Sequence, residues 1–470
     1  MLKRTRTFLF LICLCLFFLI TPLVILYSQG YRIDWDSKKI IKTGGFYFKV
    51  WPEGAQIFIN GKFKKKTGFL SNSVYMGYLT PQEYKVEIKK PGFQTWRKNL
   101  EIKENLVTES VSIILFPENP SYENLEQEVA DFFVSPDQRK IIIKKLTDTG
   151  WNLKVLDLDT NLTTNLFSGF QSAEITLFDL EFPTDSNRIL LTTKEKEVTK
   201  YWILELQSPI QKQTPDDLIN LNFLGNKAEG ISFSPEDPQK IFFLNENSLF
   251  SANITTKKVN PSPTLNNVII YEISEGNLFW LSGDGFLFKS DLTGGNAEKL
   301  NLDSFPVKKD KKYKIHVKPP LFFLKEDRFL YILKLNSQTF EKFSEFVGDI
   351  EFSPDGRKML YFNDYEISVL FLEQKENQPQ KEPLEKVFLT RISEKIDEVY
   401  WLNSDYLVFN TAGKIKISEI DDRDGLNMYD LPTIQIQGEL ASPKIFFNQS
   451  NGKLYVLSEE NLFSSEKLLP

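Results

Sequence analysis

The chain has 470 residues, of which 41% are hydrophobic and 14% aromatic, and it carries 57 Lys and Arg against 63 Asp and Glu. The net charge of −6, with both signs mixed along the chain, argues against a nucleic-acid partner. One histidine and two cysteines exclude histidine-rich metal sites and a disulfide-stapled fold. Abundant Phe, Tyr, Asn, Thr and Ser favour strands and turns, so we expect an all-β protein behind one apolar N-terminal segment.

The N-terminal segment predicts a membrane helix. Phe8 to Tyr27 form an uncharged run that spans about 30 Å as a helix, which matches the hydrocarbon core of a bilayer. Lys3, Arg4 and Arg6 precede this run, so the positive-inside rule places the N-terminus in the cytoplasm. A cleaved signal peptide is the alternative, but the run is longer than an ordinary signal core and no small-x-small cleavage site follows it.

These observations predict the first part of the domain organisation. Residues 1–7 form a cytoplasmic tail, residues 8–28 cross the cell membrane once, and residues 29–43 form a juxtamembrane linker with Trp35 at the outer interface. All later residues are expected to be extracytoplasmic.

Residues 44–117 have the pattern of a small β-sandwich. The alternation of apolar and polar residues over 55–59 predicts a half-buried strand, and Asn60-Gly61 predicts a type I′ hairpin turn after it. Further strands are predicted at residues 84–88, 93–96 and 111–116.

This segment resembles the PEGA domain, a small β-sandwich module named after four residues that stand here as Pro52-Glu53-Gly54-Ala55. The other matching positions are Ile57, Ile59, Asn60, Gly61, Tyr84, Val86, Ile88, Gly92, Phe93 and Trp96. The resemblance implies an extracytoplasmic interaction module with no known chemistry.

One unit recurs over residues 129–470, after an expected linker at residues 118–128. It consists of an apolar strand, a Ser-Pro-Asp or similar turn, a very apolar strand and a strand that ends in a polar loop. The clearest copies contain Ser135, Ser234 and Ser353, and looser copies begin near Ile175, Val268, Tyr313, Ile396 and Pro443. Their spacing of about 35 to 55 residues is typical of four-stranded propeller blades, so we predict a β-propeller of eight (or seven) blades.

The strand-turn-strand pattern around Ser353-Pro354-Asp355-Gly356 resembles the TolB-like and WD-repeat propellers. This resemblance implies a fold and no particular activity, because propellers include both enzymes and scaffolds.

The sequence offers few groups for catalysis. The one histidine, His316, lies in a strand-like segment without a Gly-x-Ser-x-Gly elbow, and Cys13 and Cys15 both lie in the apolar run. Asp421-Asp422-Arg423-Asp424-Gly425 is similar to a calcium loop, but Arg423 occupies a ligand position, so an acidic turn is favoured. We therefore predict no catalytic, cofactor-binding or metal-binding residue, and no cofactor.

Three charged segments have alternative interpretations. The lysine clusters at residues 62–66 and 308–312 are expected to be solvated turns, although the first, near the membrane, could also contact anionic lipid or polymer. The insertion Gln374 to Lys386 is expected to be a solvated loop, with a binding arm as the alternative.

The predicted function is that of a membrane-anchored binding or scaffold protein of the cell envelope, without catalysis. It would contact the membrane through residues 8–28 and bind an envelope protein or polysaccharide through its sandwich and propeller. The alternative is a propeller hydrolase or lyase that acts on envelope polysaccharide through central carboxylates, because such carboxylates come from different blades and leave no local spacing. An accessory subunit of an export or assembly machine is a third possibility.

Overall fold

The structure is a computed structural model that describes residues 3–34, 39–68, 71–170, 172, 174–183, 186–206, 210–334, 336–432 and 443–469. Helix α1 (Lys3–Ser28) is followed by the antiparallel hairpin of β1 (Tyr31–Asp34) and β2 (Lys39–Lys42). Over Phe8–Ser28 the helix has a mean hydropathy of 3.1 and no buried residue, so it is long and apolar enough to cross a membrane. Trp35 lies outside the described residues.

Seven strands form the β-sandwich. They are β3 (Gly44–Trp51), β4 (Gln56–Ile59), β5 (Lys62–Lys66), β6 (Ser73–Leu79), β7 (Glu83–Lys89), β8 (Trp96–Glu101) and β9 (Val107–Ile114). One sheet has the order β6-β3-β9 and the other has the order β5-β4-β7-β8. Their inner faces share one apolar core, whose most buried members include Phe46, Phe48, Ile57, Val86 and Trp96.

The local signals of the sandwich were interpreted correctly at the first hairpin and less well after it. Asn60 and Gly61 have φ of 50° and 74°, as a type I′ turn requires. The strand predicted at residues 93–96 begins only at Trp96, because Phe93 forms just an isolated bridge with Pro117. Strand β6 was not predicted, and β9 pairs in parallel with β3, which is a long-range contact without a local turn signal.

Among the described residues, the following segments form eight sheets of four or five strands. The first four sheets contain β11 (Asp131–Val134), β12 (Lys140–Thr147), β13 (Gly150–Asp157), β14 (Leu162–Phe167); β15 (Ile175–Glu181), β16 (Arg188–Glu195), β17 (Val198–Glu205), β18 (Ile219–Asn220); β19 (Ala228–Phe233), β20 (Lys240–Asn245), β21 (Ser248–Asn253), β22 (Lys258–Val259), β23 (Leu265–Asn266); and β24 (Val268–Ser274), β25 (Asn277–Ser282), β26 (Leu287–Asp291), β27 (Glu298–Lys299). The 3-10 helices Pro215–Asp217 and Asn222–Leu224 lie beside β18.

The next three sheets contain β28 (Tyr313–Lys318), β29 (Leu321–Glu326), β30 (Phe329–Lys334), β31 (Phe340–Ser344); β32 (Asp349–Phe352), β33 (Lys358–Phe362), β34 (Glu366–Phe371), β35 (Lys386–Arg391); and β36 (Ile396–Asn403), β37 (Tyr406–Thr411), β38 (Lys414–Glu419), β39 (Met428–Leu431). The eighth sheet combines β10 (Tyr122–Glu126) with β40 (Lys444–Asn448), β41 (Lys453–Ser458) and β42 (Asn461–Ser465), in the order β10-β42-β41-β40. Part of the expected linker at residues 118–128 is therefore the outer strand of this sheet.

The sheets confirm the prediction of an all-β fold with propeller blades, and their number within the described residues is eight. Each predicted repeat start lies within a few residues of the first strand of a sheet. The turns between first and second strands are held by side chains, since Ser353 Oγ donates to Asp355 at 2.6 Å and accepts from the Lys358 amide at 2.9 Å. Ser135 and Asp137 repeat the first of these contacts at 2.6 Å.

The chain divides into two compact units. The first unit comprises Met1–Glu123, Ile350–Val456 and Ser464–Pro470, and the second comprises Asn124–Asp349 and Leu457–Phe463. The sandwich, the sheet that begins with β36 and, except for Asp349, the sheet that begins with β32 thus belong to the same unit.

Candidate functional site

A buried polar contact joins the sandwich to the β38–β39 loop within the first unit. We call this contact the joint, and it comprises Trp96 to Asn99 of β8, Glu419 of β38, and the loop residues 421–427. Residues of β8 alternate between buried and exposed, which places Lys98 on the inward face between two apolar neighbours. A lysine at such a position requires a buried partner, because an unpaired ammonium is costly to remove from water.

Four oxygen atoms surround the ammonium of Lys98. The carboxylate Oε1 of Glu419 lies 2.7 Å from Nζ, and the two side chains are only 0% and 4% exposed. The backbone carbonyls of Asp421, Arg423 and Gly425 accept from Nζ at 2.8, 2.8 and 2.9 Å. The ammonium thus occupies the centre of an oxygen cage formed by the loop.

Glu419 is itself held by donors from both sides of the joint. The indole Nε1 of Trp96 donates to Oε2 at 2.9 Å, and the backbone and side-chain nitrogens of Asn427 donate to Oε1 at 2.8 and 2.7 Å. Burial raises the pKa of Glu419, and the nearby charge and hydrogen bond of Lys98 oppose this rise.

Backbone contacts extend the joint along β8. The side chain of Asn427 accepts from the Arg97 amide at 2.9 Å and donates to the Arg97 carbonyl at 3.0 Å, as a neighbouring strand would. The Asn99 amide donates to Asp424 at 2.7 Å. Four polar groups of β8 therefore make six hydrogen bonds with one loop, which identifies the loop as a docking element.

Arg423 ties the same loop to the last strand of the sandwich. Its guanidinium contacts Asp421 at 2.6 Å, the Glu109 carbonyl at 2.8 Å and the Ser110 hydroxyl at 2.9 Å. Burial alone would raise the pKa of Asp421, but the hydrogen bonds and charge of Arg423, with the charge of Lys98, outweigh burial and lower the pKa.

The acidic loop at residues 421–425 therefore does hold a cation. The cation is the ammonium of Lys98, which strand β8 of the sandwich supplies. Among the described residues, no group of three or more His, Cys, Asp or Glu side chains has the geometry of a metal site.

The insertion expected to be a solvated loop contacts both partners of the joint. Gln378 accepts from the Glu109 amide at 3.1 Å and donates to the Val107 carbonyl at 2.9 Å. Lys381, which is 8% exposed, lies 2.7 Å from Asp422 and 2.8 Å from Glu385. The insertion therefore connects the sandwich to the β38–β39 loop. The sequence did not predict these contacts, because the partner residues are distant in the chain.

An apolar contact lies beside the polar joint. The amide of Ile114 donates to the hydroxyl of Tyr406 at 3.0 Å, and the ring of Phe116 packs edge-on against that of Tyr406 with centroids 5.3 Å apart. Ile114 and Phe116 belong to the same buried cluster as residues of β37 to β41. The sandwich thus shares a core with the last blades.

A cavity of about 270 Å³ adjoins the joint in the first unit, between Trp96, residues 110–113 and the start of the insertion. Lys375 lines this cavity, and burial lowers its pKa despite the opposing charges of Asp405 and Asp421. Among the described residues, no carboxylate forms an ion pair with Lys375.

A second cavity, of about 410 Å³, lies in the second unit among the first strands of three successive blades. Its wall includes Glu181 at the end of β15 and Glu272 on β24, together with apolar side chains. Partial desolvation raises the pKa of both carboxyl groups, and the adjacent Asp179 raises that of Glu181 further. Carboxyl groups of this kind can act as general acids, although both side chains remain exposed to solvent.

His316 is not part of either cavity. It lies on β28, and burial followed by the charge of Lys314 lowers its pKa to about 4. Its Nε2 atom is buried and makes no hydrogen bond among the described residues. A histidine in this position does not have the geometry of a general base in a serine hydrolase.

Comparisons with known proteins add little to this description. No protein-family model matches the chain, and no curated protein matches it. Similar solved structures include the computationally designed protein Ika8, with 12% identity, a TM-score of 0.44, and coverage of 73% of this chain and 98% of Ika8. Hsv2 of Kluyveromyces lactis has 12% identity, a TM-score of 0.42, and coverage of 65% and 98%. The β-propeller domain of Cps50 (Swd1) of Myceliophteria thermophila has 10% identity, a TM-score of 0.39, and coverage of 74% and 100%. The eight sheets of this chain identify its blades.

Proposed function

We propose that the protein is a membrane-anchored binding scaffold, in which helix α1 holds an extracytoplasmic sandwich and propeller near the membrane. The observation that carries this proposal is the joint. A buried ion pair with seven further hydrogen bonds across the joint fixes the sandwich against the last blades, so the first unit presents its surfaces in one arrangement.

The energetics of the joint favour a permanent connection over a hinge. Opening it would expose the Lys98 ammonium and the Glu419 carboxylate and would also separate the apolar core that contains Ile114 and Phe116. Breaking a buried ion pair alone costs about 3 to 5 kcal/mol. A rigid connection between the sandwich, which follows helix α1, and the blades is suited to a protein that displays a binding surface.

The same proposal includes the identity of each segment and the class of partner. The sandwich at residues 44–117 is taken as a PEGA-like interaction domain, residues 129–470 as the propeller, residues 1–7 as a cytoplasmic tail, residues 8–28 as the single-pass anchor in the cell membrane and residues 29–43 as the juxtamembrane linker. The sequence motif at residues 52–55 and the apolar helix support these assignments. The partner is an envelope protein or polysaccharide.

The test uses the full chain in its native membrane, with a photo-crosslinking amino acid at an exposed aromatic position of a blade. Tyr365 and Phe388, which are 48% and 59% exposed, are suitable positions on the sixth blade. A matched probe at Tyr27, at the end of helix α1, controls for crosslinks to neighbouring membrane proteins. The proposal predicts one discrete crosslinked species from the blade positions only, and no such species from any blade position would contradict it.

A second function is favoured by one observation, the pair of carboxyl groups with raised pKa in the 410 Å³ cavity. If the propeller cleaves envelope polysaccharide, Glu181→Gln or Glu272→Gln should reduce product release by the purified full chain at least about 100-fold. Glu246→Gln, which removes an exposed carboxylate paired with Lys227 in the same unit, should leave it unchanged. Absence of any product from the unmodified protein would exclude this function.

A further inference from the structure

Strand β5 is an exposed basic edge of the sandwich. Its five residues, Lys62–Lys66, are all exposed, and β5 stands at one end of its sheet. Four of the five are lysines, and the fifth, Phe63, is 57% exposed. Among the described residues, none of these four ammonium groups forms an ion pair. Lysines on an edge strand discourage pairing with another strand, but four of them on a five-residue strand also concentrate positive charge on this edge of the sandwich.

The charge of the chain is divided along its length. Residues 44–117 contain eleven Lys and Arg against six Asp and Glu, whereas residues 118–470 contain 39 against 55. The sandwich therefore has an excess of five positive charges, whereas residues 118–470 have an excess of sixteen negative charges. A surface of uniform negative charge attracts the first region and repels the second.

Contacts place β5 close to the end of helix α1. The guanidinium of Arg32 lies 3.5 Å from the ring centroid of Tyr27, in the last turn of the helix, and 5.0 Å from that of Tyr78 on β6. Three residues before Tyr78, the Tyr75 carbonyl accepts from Lys65 Nζ at 2.8 Å. Three residues of a strand span about 10 Å, so these contacts together bring Lys65 Nζ within about 20 Å of the Tyr27 ring at the end of the helix.

We infer that the β5 edge docks on anionic headgroups of the lipid bilayer that helix α1 crosses. The lysines supply the attraction, and the exposed rings of Phe63 and of Tyr75, whose carbonyl accepts from Lys65, supply apolar contact at the interfacial level. Docking would fix the tilt of the sandwich on the membrane. This inference rests on the proposed anchoring by α1.

The experiment uses the full chain in lipid nanodiscs. Cys13 and Cys15 are replaced by alanine, and Phe63→Cys carries a fluorophore that spin-labelled lipid headgroups quench. Nanodiscs contain phosphatidylcholine alone or with about one third phosphatidylglycerol, at low and high salt. The test variant replaces Lys62, Lys64, Lys65 and Lys66 by glutamine, and the matched control replaces the blade lysines Lys308, Lys309, Lys311 and Lys312 by glutamine, which changes the net charge equally.

Strong quenching is expected only with phosphatidylglycerol at low salt. Since each lysine near an anionic surface changes the docked-to-undocked ratio by about fivefold, the test variant should lower this ratio at least about 100-fold, and the control variant should not. Equal quenching in both lipid mixtures, or no effect of the test variant, would overturn the inference while the anchor stands. A chain that does not incorporate into nanodiscs would overturn the anchor itself. If soluble polyphosphate binds in a salt-sensitive way and lipid headgroups do not quench the fluorophore, the inference is overturned and the ligand of the β5 edge is a polyanionic polymer.

Discussion

Replacing Lys98 by methionine is expected to lower the free energy of unfolding of the first unit by about 3 to 5 kcal/mol. Methionine is similar in length to the lysine stem, so the change leaves little cavity and removes mainly the charge. The Glu419 carboxylate, 4% exposed, then loses its ion-pair partner, and three backbone carbonyls lose their shared donor. The donors from Trp96 and Asn427 remain, which places the loss at the lower end of the range.

The same variant should show a characteristic dependence on pH. Burial raises the pKa of Glu419 in the native protein, and loss of the Lys98 charge raises it further. An acid whose folded pKa lies above its unfolded pKa binds a proton preferentially in the folded state, so the stability of the variant falls as pH rises through that interval. The difference in free energy of unfolding between the native protein and the variant should therefore be larger at neutral pH than near the unfolded pKa of glutamate, about 4.3.

The measurement is urea unfolding of the detergent-solubilised full chain, followed by tryptophan fluorescence at pH 7 and pH 5. The control is Lys103→Met, which removes a 67% exposed lysine of the same domain. An exposed pair of this kind contributes at most about 1 kcal/mol, and its loss should not depend on pH in this range. A loss below about 1 kcal/mol for Lys98→Met, or a loss equal at both pH values, would refute the description of the joint as a buried ion pair.

Three further predictions concern the blades. Burial lowers the pKa of His316 from 6.5 to about 4, so the unfolded chain binds a proton more readily than the folded protein between these pH values. The free energy of unfolding should therefore be about 3 kcal/mol lower at pH 4 than above pH 6.5. NMR titration of the single imidazole measures the pKa directly. Unfolding of His316→Phe at both pH values should show no such loss of stability. Burial would raise the pKa of Asp355, but hydrogen bonds from Ser353, Lys358 and the Arg357 amide outweigh it and lower the pKa from 3.8 to about 2. Because the side chain is one third exposed, Asp355→Asn should cost only about 1 kcal/mol at pH 7 and nothing at pH 2, by the same unfolding assay. Gly285→Ala should lower the melting temperature strongly, because φ is +81° and the new Cβ would lie 1.9 Å from the Phe305 carbonyl oxygen, whereas Gly61→Ala, with open space around its Cβ, should cost about 1 kcal/mol.

The blades could be predicted from the sequence because their signals are local. A Ser-Pro-Asp turn between two apolar strands involves fewer than ten residues, and its hydrogen bonds, such as those of Ser353 and Asp355, close within the turn. The eighth sheet was harder, since its outer strand β10 precedes the repeats and pairs with the end of the chain. A strand of five residues with no turn on either side looks like a linker until its partner is known.

The joint could not be predicted because its two halves are far apart in the chain. Trp96 and Glu419 are separated by 323 positions, and each half has an ordinary local explanation. One signal was present at the sequence level, because strict alternation along β8 places Lys98 on the same face as Trp96 and Leu100. A lysine at a core-facing position indicates a buried partner, and an acidic loop with an incomplete ligand set was available to provide it.

The similarity of residues 421–425 to a calcium loop has a physical basis in the joint. A loop that directs several carbonyl oxygens at one point needs a cation there, because the oxygens carry partial negative charge that water no longer screens. A metal ion would make the connection between sandwich and blades depend on metal concentration, since binding energy would then be part of folding energy. The ammonium of Lys98 is a cation that is covalently part of the chain. Arg423 can therefore stand at a position that a calcium loop would use for a ligand. The connection then forms on folding and does not depend on metal concentration.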